Sequence, residues 1–351
     1  MKKIFSTIIL LFVIVVSLPI ASCGNDSDNP DDPNHEQQDP LAGTDGLLYM
    51  LYGDDEVYVT GEPQRSINPW DASAWNPLIN RFGNETDRVE YKGDIVIPER
   101  VTFDGKTYTV SGIWGAAFED CIKLTSVKLP STLKEIDVLS FLGCTELKTI
   151  SIPASVNKID GTAFSYCTSL KSINVDPDNS KYVSVDGILY SKSKTSLVSY
   201  PCGLEGTAKF LDTVESIGES AFEGSIANSI EFTSSLKYIN DSAFYDCINL
   251  QSIKVPEGVV RIGDSAFYGC DNMTLIDLPS TLLYIGQYVF FNSSLDVICR
   301  ATLVPQVIGS SSSRAYLGHA NTLYVPASSV KEYQRTNSPY VDCFNYIKPI
   351  E

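Results

Sequence analysis

Apolar residues recur along most of the chain at a nearly fixed interval. Seven phenylalanines mark the recurrence, separated by 23, 23, 58, 22, 23 and 23 residues: Phe118, Phe141, Phe164, Phe222, Phe244, Phe267 and Phe290. An isoleucine stands five residues before each phenylalanine, and a segment with the spacing Leu-x-x-Ile-x-Ile-Pro follows several of them. This part of the chain is therefore an array of repeats.

Each repeat predicts two short strands and a tight turn. In Leu124–Pro130, Val127 and Leu129 alternate with polar residues, so one face of a strand points inward and the proline ends it. The apolar pair in Val156–Ile159 predicts a shorter returning segment. The Gly-x-x-Ala-Phe segment is compact enough for a single helical or 3₁₀ turn that places the phenylalanine in the interior.

The period and the leucine spacing predict a β-rich leucine-rich-repeat solenoid, since a single repeat cannot bury its own apolar side chains. The 58-residue interval is one repeat of 23 residues plus an insertion of 35. Within it, Tyr182–Val185 and Ile188–Tyr190 flank Asp186-Gly187, which predicts a hairpin. Leu197–Pro201 is similar to a degenerate solenoid strand.

The pattern divides the chain into five segments. They are a signal peptide (1–22), an acidic flexible tether (23–45), a strand-rich N-terminal cap (46–112) with an inserted loop (62–88), the repeat array (113–300) with the hairpin insertion at about 176–210, and a C-terminal cap (301–351). The caps differ from the repeats because their outer faces meet water. The C-terminal cap predicts a short helix at Ser329–Gln334 and a last strand at Tyr346–Ile350.

The N-terminus has the composition of an export signal. Two lysines precede the apolar stretch Ile4–Val16, which is shorter than the roughly 20 residues of a membrane span. Ile20–Cys23 resembles the lipobox of bacterial lipoproteins, in which cleavage precedes an acylated cysteine. The resemblance implies a lipid anchor at Cys23, and the alternative is an ordinary signal peptide with an incidental cysteine. The acidic tether that follows resembles the surface-export signal of Bacteroidetes lipoproteins.

Charge and composition narrow the function. The chain has 26 Lys and Arg against 43 Asp and Glu, a net charge of −17, which disfavours nucleic acid as a partner. Histidine occurs only at His35 and His319, which argues against histidine-based catalysis and multi-histidine metal sites. We therefore expect no catalytic residues, no metal and no cofactor.

Cysteine occupies a repeated slot three residues after the core phenylalanine. It stands there at Cys121, Cys144, Cys167, Cys247 and Cys270, while serine takes the slot at Ser225 and Ser293. A slot shared with serine needs a small side chain, which favours buried free thiols. The alternative is a disulfide between neighbouring repeats, which a ladder spacing of about 5 Å would permit. For Cys202, Cys299 and Cys343, in loops or the C-terminal cap, pairing stays open.

The unit I-G-x-x-A-F-x-x-C-x-x-L-x-x-I-x-I-P, the Y-x-S-x-D-G-x-L-Y insertion and the L-Y-V-P-A ending resemble the BspA-like leucine-rich repeat family over residues 46–351. Trp114 replaces the usual glycine, a local departure. The resemblance implies a non-catalytic cell-surface protein that binds extracellular-matrix proteins, other cells or glycans. It implies a class of function and no particular ligand.

Candidate binding residues follow from stacking, because strands about 4.8 Å apart turn one repeat position into a column. In the column before each isoleucine, we expect Tyr238, Arg261 and Tyr284 to form an aromatic–guanidinium strip. The alternative is that the rings only cover the edge of the array. A second candidate run follows the core phenylalanines and comprises Tyr245, Tyr268 and Phe291. The outward column of the longer strands mixes charges and lacks aromatic residues: Lys128, Ser151, Asn174, Glu231, Lys254 and Asp277.

Two tryptophans mark a further candidate site. Trp70 and Trp75 lie on the inserted loop 62–88, where they either pack onto the cap or present a binding tip. Taken together, the sequence predicts an adhesin-like binding protein, a monomeric lipoprotein of the outer membrane that faces the exterior. The alternatives are a glycan-capture lipoprotein that supports polysaccharide uptake and an architectural envelope protein.

Overall fold

The computed structural model describes residues 41–42, 46–52, 54–61, 90–291, 294–308, 317–335 and 338–351. The predictions for the signal peptide, for Cys23 and most of the tether, and for Trp70 and Trp75 on the loop 62–88 lie outside these residues. Within them, no helix is long and apolar enough to cross a membrane.

The described chain is almost entirely short strands joined by turns. The strands are β1 (Leu41–Ala42), β2 (Leu48–Leu51), β3 (Glu56–Thr60), β4 (Gly93–Val96), β5 (Arg100–Phe103), β6 (Lys106–Ile113), β7 (Leu124–Lys128), β8 (Glu135–Ile136), β9 (Thr149–Ile152), β10 (Lys158–Ile159), β11 (Ser172–Val175), β12 (Tyr182–Val185), β13 (Ile188–Ser191), β14 (Ser196–Ser199), β15 (Thr207–Lys209), β16 (Ser216–Ile217), β17 (Ser229–Glu231), β18 (Tyr238–Ile239), β19 (Ser252–Lys254), β20 (Arg261–Ile262), β21 (Leu275–Leu278), β22 (Tyr284–Ile285), β23 (Phe290–Phe291), β24 (Asp296–Cys299), β25 (Gln306–Val307), β26 (Gly318–Val325) and β27 (Phe344–Pro349). Two short helices, α1 (Val330–Tyr333) and α2 (Pro339–Cys343), lie between the last two strands.

Strands of successive repeats pair in parallel and form two ladders. The short-strand ladder contains two-residue strands that end in the repeat isoleucine, so that Ile239 lies opposite Ile262. The long-strand ladder contains the Leu-x-x-Ile strands, with Ile253 opposite Ile276. About ten turns with a spacing near 23 residues result, which confirms the predicted leucine-rich-repeat solenoid.

The repeat phenylalanines form a stacked column inside the solenoid. Ring centroids are 5.0 Å apart for Phe118 and Phe141, 4.9 Å for Phe222 and Phe244, and 5.3 Å for Phe244 and Phe267. All five side chains are buried. Stacking neighbours therefore create the core that a single repeat lacks, as the sequence predicts.

Left-handed residues close the turn before most of the Ala-Phe pairs. The residue before the alanine has φ of 51° at Ser220, 52° at Ser242 and 53° at Ser265. Hydrogen bonds join residues three apart, as from the Ala243 N–H to the Asn240 carbonyl oxygen at 3.3 Å. This is the 3₁₀ bond pattern, but the positive φ stops it from continuing as a helix. The predicted helical or 3₁₀ turn is thus a set of isolated turns.

The repeated cysteine slot holds a hydrogen-bond donor. Cys144 Sγ donates to the Phe118 carbonyl oxygen at 3.1 Å, and Cys247 Sγ donates to the Phe222 carbonyl oxygen at 3.1 Å, one repeat earlier in each case. A small side chain fits this place, and Ser225 occupies it with its Oγ accepting the Ala227 N–H at 3.3 Å. All eight described cysteines are buried and outside disulfides, which confirms the prediction for the slot.

Both ladders are interrupted at the insertion. β12 and β13 form an antiparallel hairpin whose turn contains Asp186 and Gly187, and β14 then pairs in parallel with β16. Tyr200 takes the place of a core phenylalanine, with its ring 4.5 Å from that of Phe222. The buried side chains fall into two clusters, which meet at Ile188 and Leu189. The solenoid therefore has an N-terminal and a C-terminal half.

The C-terminal cap closes the long-strand ladder. β27 pairs in parallel with β26, and α1 begins after Ser329, within the segment for which the sequence predicts a helix. The Tyr340 hydroxyl donates to the Pro305 carbonyl oxygen at 3.0 Å, and its ring packs edge-on against Tyr333 with centroids 5.0 Å apart. These contacts cover the last core turn.

Candidate functional site

The structure places Tyr238, Arg261 and Tyr284 side by side on the short-strand ladder. Tyr238 pairs in register with Arg261, and Arg261 pairs with Tyr284. The two tyrosines are 42% and 41% exposed, and neither ring stacks on another ring of the described chain. We call these three residues the tyrosine strip. The structure thus brings together the three residues that the sequence places in one column.

The guanidinium of the strip does not stack between the rings. Arg261 Nη2 lies 3.8 Å from Asp241 Oδ1, and its buried Nε has no hydrogen-bond partner. In the described part of the chain, cation–π contacts involve lysines elsewhere, such as Lys106 over Tyr108. The expected aromatic–guanidinium stack is therefore corrected to two separate open rings with a loosely paired arginine between them.

Aliphatic side chains enlarge the strip. Leu283, directly before Tyr284, is exposed, and Val260, directly before Arg261, is half-buried. Beyond Tyr284 the column continues with exposed Gln306, its register partner on β25. The surface is shallow and mixed, and its tyrosines and arginine are residue types that are enriched in interface hot spots.

Three carboxyl groups run beside the strip, and we call them the acidic border: Glu219, Asp241 and Asp264. Asp241 Oδ1 accepts the Asp264 N–H at 3.0 Å, and Asp264 Oδ1 accepts the Gln287 N–H at 2.8 Å. These bonds tie the carboxylates of Asp241 and Asp264 to the next repeat. In three successive repeats, an acidic residue stands two positions after the repeat isoleucine. This periodicity could have predicted the border, but the sequence interpretation missed it.

The border carboxyl groups repel one another. The pKa of Glu219 is raised by burial and by the neighbouring charges of Asp160 and Asp241. The pKa of Asp264 is likewise raised by burial and by Asp241, although the Gln287 N–H and the Arg261 charge oppose the rise. A row of mutually repelling carboxylates gains stability from cations placed beside it.

The same column in the N-terminal half is covered by the chain itself. The Tyr58 ring lies over Gly112, where a Cβ would overlap it, and Tyr52 stacks on Tyr58 with ring centroids 4.2 Å apart. The Tyr58 hydroxyl donates to Glu135 Oε2 at 3.1 Å, and Lys158 forms an ion pair with Glu135. This half of the column has its own internal partners.

The second candidate run is not a surface in the structure. Tyr245 and Tyr268 are only 7% and 5% exposed, and their rings stack on each other at 5.0 Å. Their burial corrects the expectation that they present their rings to a ligand. Phe291 lies in β23 opposite His319, and its role as a binding residue stays a prediction.

A polar cluster lies where the two halves meet. The Tyr166 hydroxyl donates to Asp246 Oδ2 at 2.7 Å, and Ser165 Oγ donates to Glu223 Oε2 at 3.1 Å. Burial raises the pKa of Glu223 to about 7 and that of Asp246 to about 6. These bonds join turns on either side of the insertion, which gives the cluster a structural role.

Two shallow grooves lie on the described surface. One, of about 330 Å³, is lined by uncharged side chains at repeat spacing: Asn228, Asn249, Gln251, Asn272 and Thr274. The other, of about 590 Å³, runs over the outward positions of β7, β9 and β11. The long-strand ladder also carries two tyrosines in neighbouring columns of the C-terminal cap, Tyr324 in β26 and Tyr346 in β27. Among the described residues, no group of three or more His, Cys, Asp or Glu side chains could hold a metal ion.

Comparison with known proteins agrees with the repeat pattern. The sequence model of the family described as BspA type leucine rich repeat region matches residues 101–205 and 198–307, in six copies. No curated protein matches the chain.

Solved structures of bacterial leucine-rich repeat proteins are similar to the chain at low identity. One from Eubacterium ventriosum ATCC 27560 is 19% identical, covers 86% of this chain and 91% of its own, with a TM-score of 0.40. One from Bacteroides ovatus ATCC 8483 is 20% identical over 87% of this chain and 75% of its own, with a TM-score of 0.40. A leucine rich cell surface protein from Faecalibacterium prausnitzii A2-165 is 22% identical over 79% and 97%, with a TM-score of 0.32. Similarity at this level says nothing about function.

Proposed function

Because the chain belongs to the family of BspA-type leucine-rich repeat proteins, we propose that it is a non-catalytic, adhesin-like binding protein of the cell surface. It recognises host or microbial macromolecules through the open faces of its solenoid. The tyrosine strip is the centre of the contact with the ligand. The ligand is bound without being chemically changed.

The observation that carries this proposal is the difference between the two halves of one column. In the N-terminal half, Tyr58 and Glu135 bond to each other. In the C-terminal half, Tyr238 and Tyr284 stay exposed and Arg261 Nε lacks a partner. Exposed tyrosine rings that lack a partner within the described chain are groups from which binding hot spots are built.

The shape of the surface sets the kind of recognition. A stable interface buries roughly 800 Å² on each partner, far more than three side chains provide. The strip would therefore be the centre of a larger contact that extends along neighbouring turns. Affinity from such a shallow surface increases when several copies bind one target, which suits a protein displayed on a surface.

Anchoring is the second part of the proposal. The lipobox-like Ile20–Cys23 supports cleavage before Cys23, acylation of that residue and attachment to the outer membrane, with the protein monomeric and facing the exterior. Protease treatment of intact cells tests this arrangement, because a displayed protein is digested while a periplasmic control protein survives. Full protection of the mature protein would contradict surface display.

A binding screen tests the function itself. A soluble protein of residues 43–351 is applied to an array of extracellular-matrix proteins and polysaccharides, and saturable binding is measured. Tyr238→Ala combined with Tyr284→Ala should weaken binding about tenfold to a hundredfold. Tyr346→Ala is the matched control, because Tyr346 is 58% exposed but lies on the long-strand ladder. Equal loss in the control, or none in the double variant, would contradict the role of the strip.

Glycan capture in support of polysaccharide uptake is a second candidate, favoured by the uncharged groove. Asn249 Nδ2 donates to the Ile226 carbonyl oxygen at 2.9 Å and Asn272 Nδ2 to the Ile248 carbonyl oxygen at 2.8 Å. These bonds fix the amides at repeat spacing, as an extended, hydroxyl-rich polymer would require. Saturable binding to a polysaccharide that Asn249→Ala weakens would favour this function. If the protein binds neither the proteins nor the polysaccharides of the array, an architectural role in the envelope would be favoured.

A further inference from the structure

We propose that the partner of the tyrosine strip is a basic protein surface, whose arginine and lysine side chains lie against the acidic border. The inference rests on the proposed function, because it names the chemistry of the partner for the same site. The strip supplies apolar and aromatic contact, and the border supplies the charge that selects the partner.

Charge complementarity is the first argument. Glu219, Asp241 and Asp264 lie on three successive turns beside the strip, and burial together with the charge of Asp241 raises the pKa of both Glu219 and Asp264. The whole chain carries a net charge of −17. An approaching cationic surface is attracted at long range and relieves the repulsion within the border once it binds.

The cations near the strip do not neutralise the negative charge of the acidic border. Lys237 Nζ is 2.8 Å from Glu215 Oε2, and Arg261 Nη2 is 3.8 Å from Asp241 Oδ1. Each of these cations has a carboxylate of its own beside it. Glu219 and Asp264 remain as the excess charge of this surface.

The side chains of the strip favour a protein over a glycan. Leu283 is exposed directly before Tyr284, and Val260, directly before Arg261, adds further aliphatic surface. Aliphatic groups next to exposed rings are buried well by apolar side chains, whereas sugar hydroxyls placed there would lose water without gaining partners. Arginine side chains in addition stack on tyrosine faces, so the same rings suit a basic partner.

Three synthetic peptides test the sign of the charge. They share one leucine- and tyrosine-containing sequence and differ only in carrying arginine, glutamine or glutamate at the same four positions. The arginine peptide should bind saturably to the soluble protein, at least about tenfold more tightly than the other two. Its affinity should fall several-fold when NaCl is raised from about 50 mM to about 200 mM, because the border is partly exposed to solvent.

Single charge changes sharpen the test. Glu219→Gln and Asp264→Asn, which keep hydrogen-bond acceptors, should each weaken the arginine peptide about threefold. Arg261→Gln removes the cation that lies beside the border and should raise the affinity for the arginine peptide about threefold. Glu146→Gln, an exposed acid in the N-terminal half, is the control and should have no effect. Weaker binding of the arginine peptide to Arg261→Gln would overturn the inference, because the border would then not be what attracts the peptide.

The outcomes separate the inference from the proposed function. If the glutamine or glutamate peptide binds as tightly as the arginine peptide, and Tyr238→Ala with Tyr284→Ala still removes binding, the strip is a binding site and the basic partner is wrong. If the double variant binds the arginine peptide unchanged, the strip itself is wrong. No binding by any of the peptides to a folded protein also overturns the basic partner, and the matrix-protein screen then decides the function separately.

Discussion

The two halves of the short-strand ladder share a backbone and differ in what covers it. In the N-terminal half, Tyr58 lies over Gly112 and bonds to Glu135, and Tyr52 stacks on Tyr58. In the C-terminal half, the equivalent positions carry the exposed rings of the tyrosine strip. In the N-terminal half, the same surface is therefore covered by aromatic residues of the chain itself.

The comparison teaches where to look for binding in a repeat protein. Repetition gives every turn the same chance of being a site, so an exposed aromatic residue alone says little. A position is informative when its side chain has no partner within the chain, while the equivalent side chain elsewhere in the array does have one. By that criterion, we propose that binding takes place on the C-terminal half rather than on the covered N-terminal half.

The largest expected effect comes from the core that both halves share. Phe244→Ala removes a buried ring that stacks between those of Phe222 and Phe267, 4.9 and 5.3 Å away. We expect the free energy of unfolding to fall by about 3–5 kcal/mol. Urea unfolding measures the loss, with Tyr346→Ala as the exposed aromatic control. Hydrogen exchange should show the loosening in the C-terminal cluster first, and equal loosening of both clusters would contradict their separation.

A smaller effect should come from uncovering the N-terminal half. Gly112→Ala places a Cβ where the Tyr58 ring now lies, so the ring has to move. We expect a loss of about 1–3 kcal/mol from the free energy of unfolding. In a Tyr58→Ala background the same substitution should cost much less, because the obstacle is gone. Urea unfolding of the four proteins gives the coupling, and additive costs would argue against the packing described above.

The smallest effect concerns the joint between the halves and depends on pH. Burial raises the pKa of Glu223 from 4.5 to about 7. Between these values the folded protein holds a proton that the unfolded chain has released, so the free energy of unfolding decreases as pH rises from about 4.5 to about 7. Glu223→Gln stays neutral and should be more stable than the natural protein by about 1–2 kcal/mol above pH 7, with little difference near pH 4.

Thermal unfolding across this pH range measures the effect of Glu223→Gln. Glu146→Gln, an exposed acid of the N-terminal half, is the control. Asp246 adds to the same trend, because burial raises its pKa to about 6. A stability that is flat from pH 4 to pH 8 in the natural protein would contradict the burial of these acids.

The sequence predicted those features that repeat. The phenylalanine column, the strand alternation around Val127 and the cysteine slot all follow from one period, because neighbouring turns see identical surroundings. Tyr182–Val185 and Ile188–Ser191 form the hairpin around Asp186-Gly187 that the turn residues indicate. The local sequence pattern was sufficient to predict a contact wherever a residue packs against the equivalent residue of the next repeat.

Features that depend on contacts outside the period were not predictable in this way. Tyr245 and Tyr268 each directly follow a core phenylalanine, and we expected their rings at the surface. Left-handed residues such as Ser242 change the direction of the turn, and the two rings stack on each other and are buried. The position of Tyr58 over Gly112 depends on a pairing between β3 and β6, about 50 residues apart. Such pairings leave no trace in the repeat spacing.

The thiol ladder links the redox state of the chain to its folding. Eight cysteines are buried in the described structure, and those of the repeat slot donate to carbonyl oxygens of the preceding turn. In oxidising surroundings, their protection lasts only while the solenoid stays closed, because thiol chemistry requires access. A chain that unfolds there exposes eight reactive groups at once, and any disulfide between them removes donors that the turns need on refolding. The protein therefore has to complete its fold before oxidants reach it, and an unfolding event in such surroundings becomes irreversible.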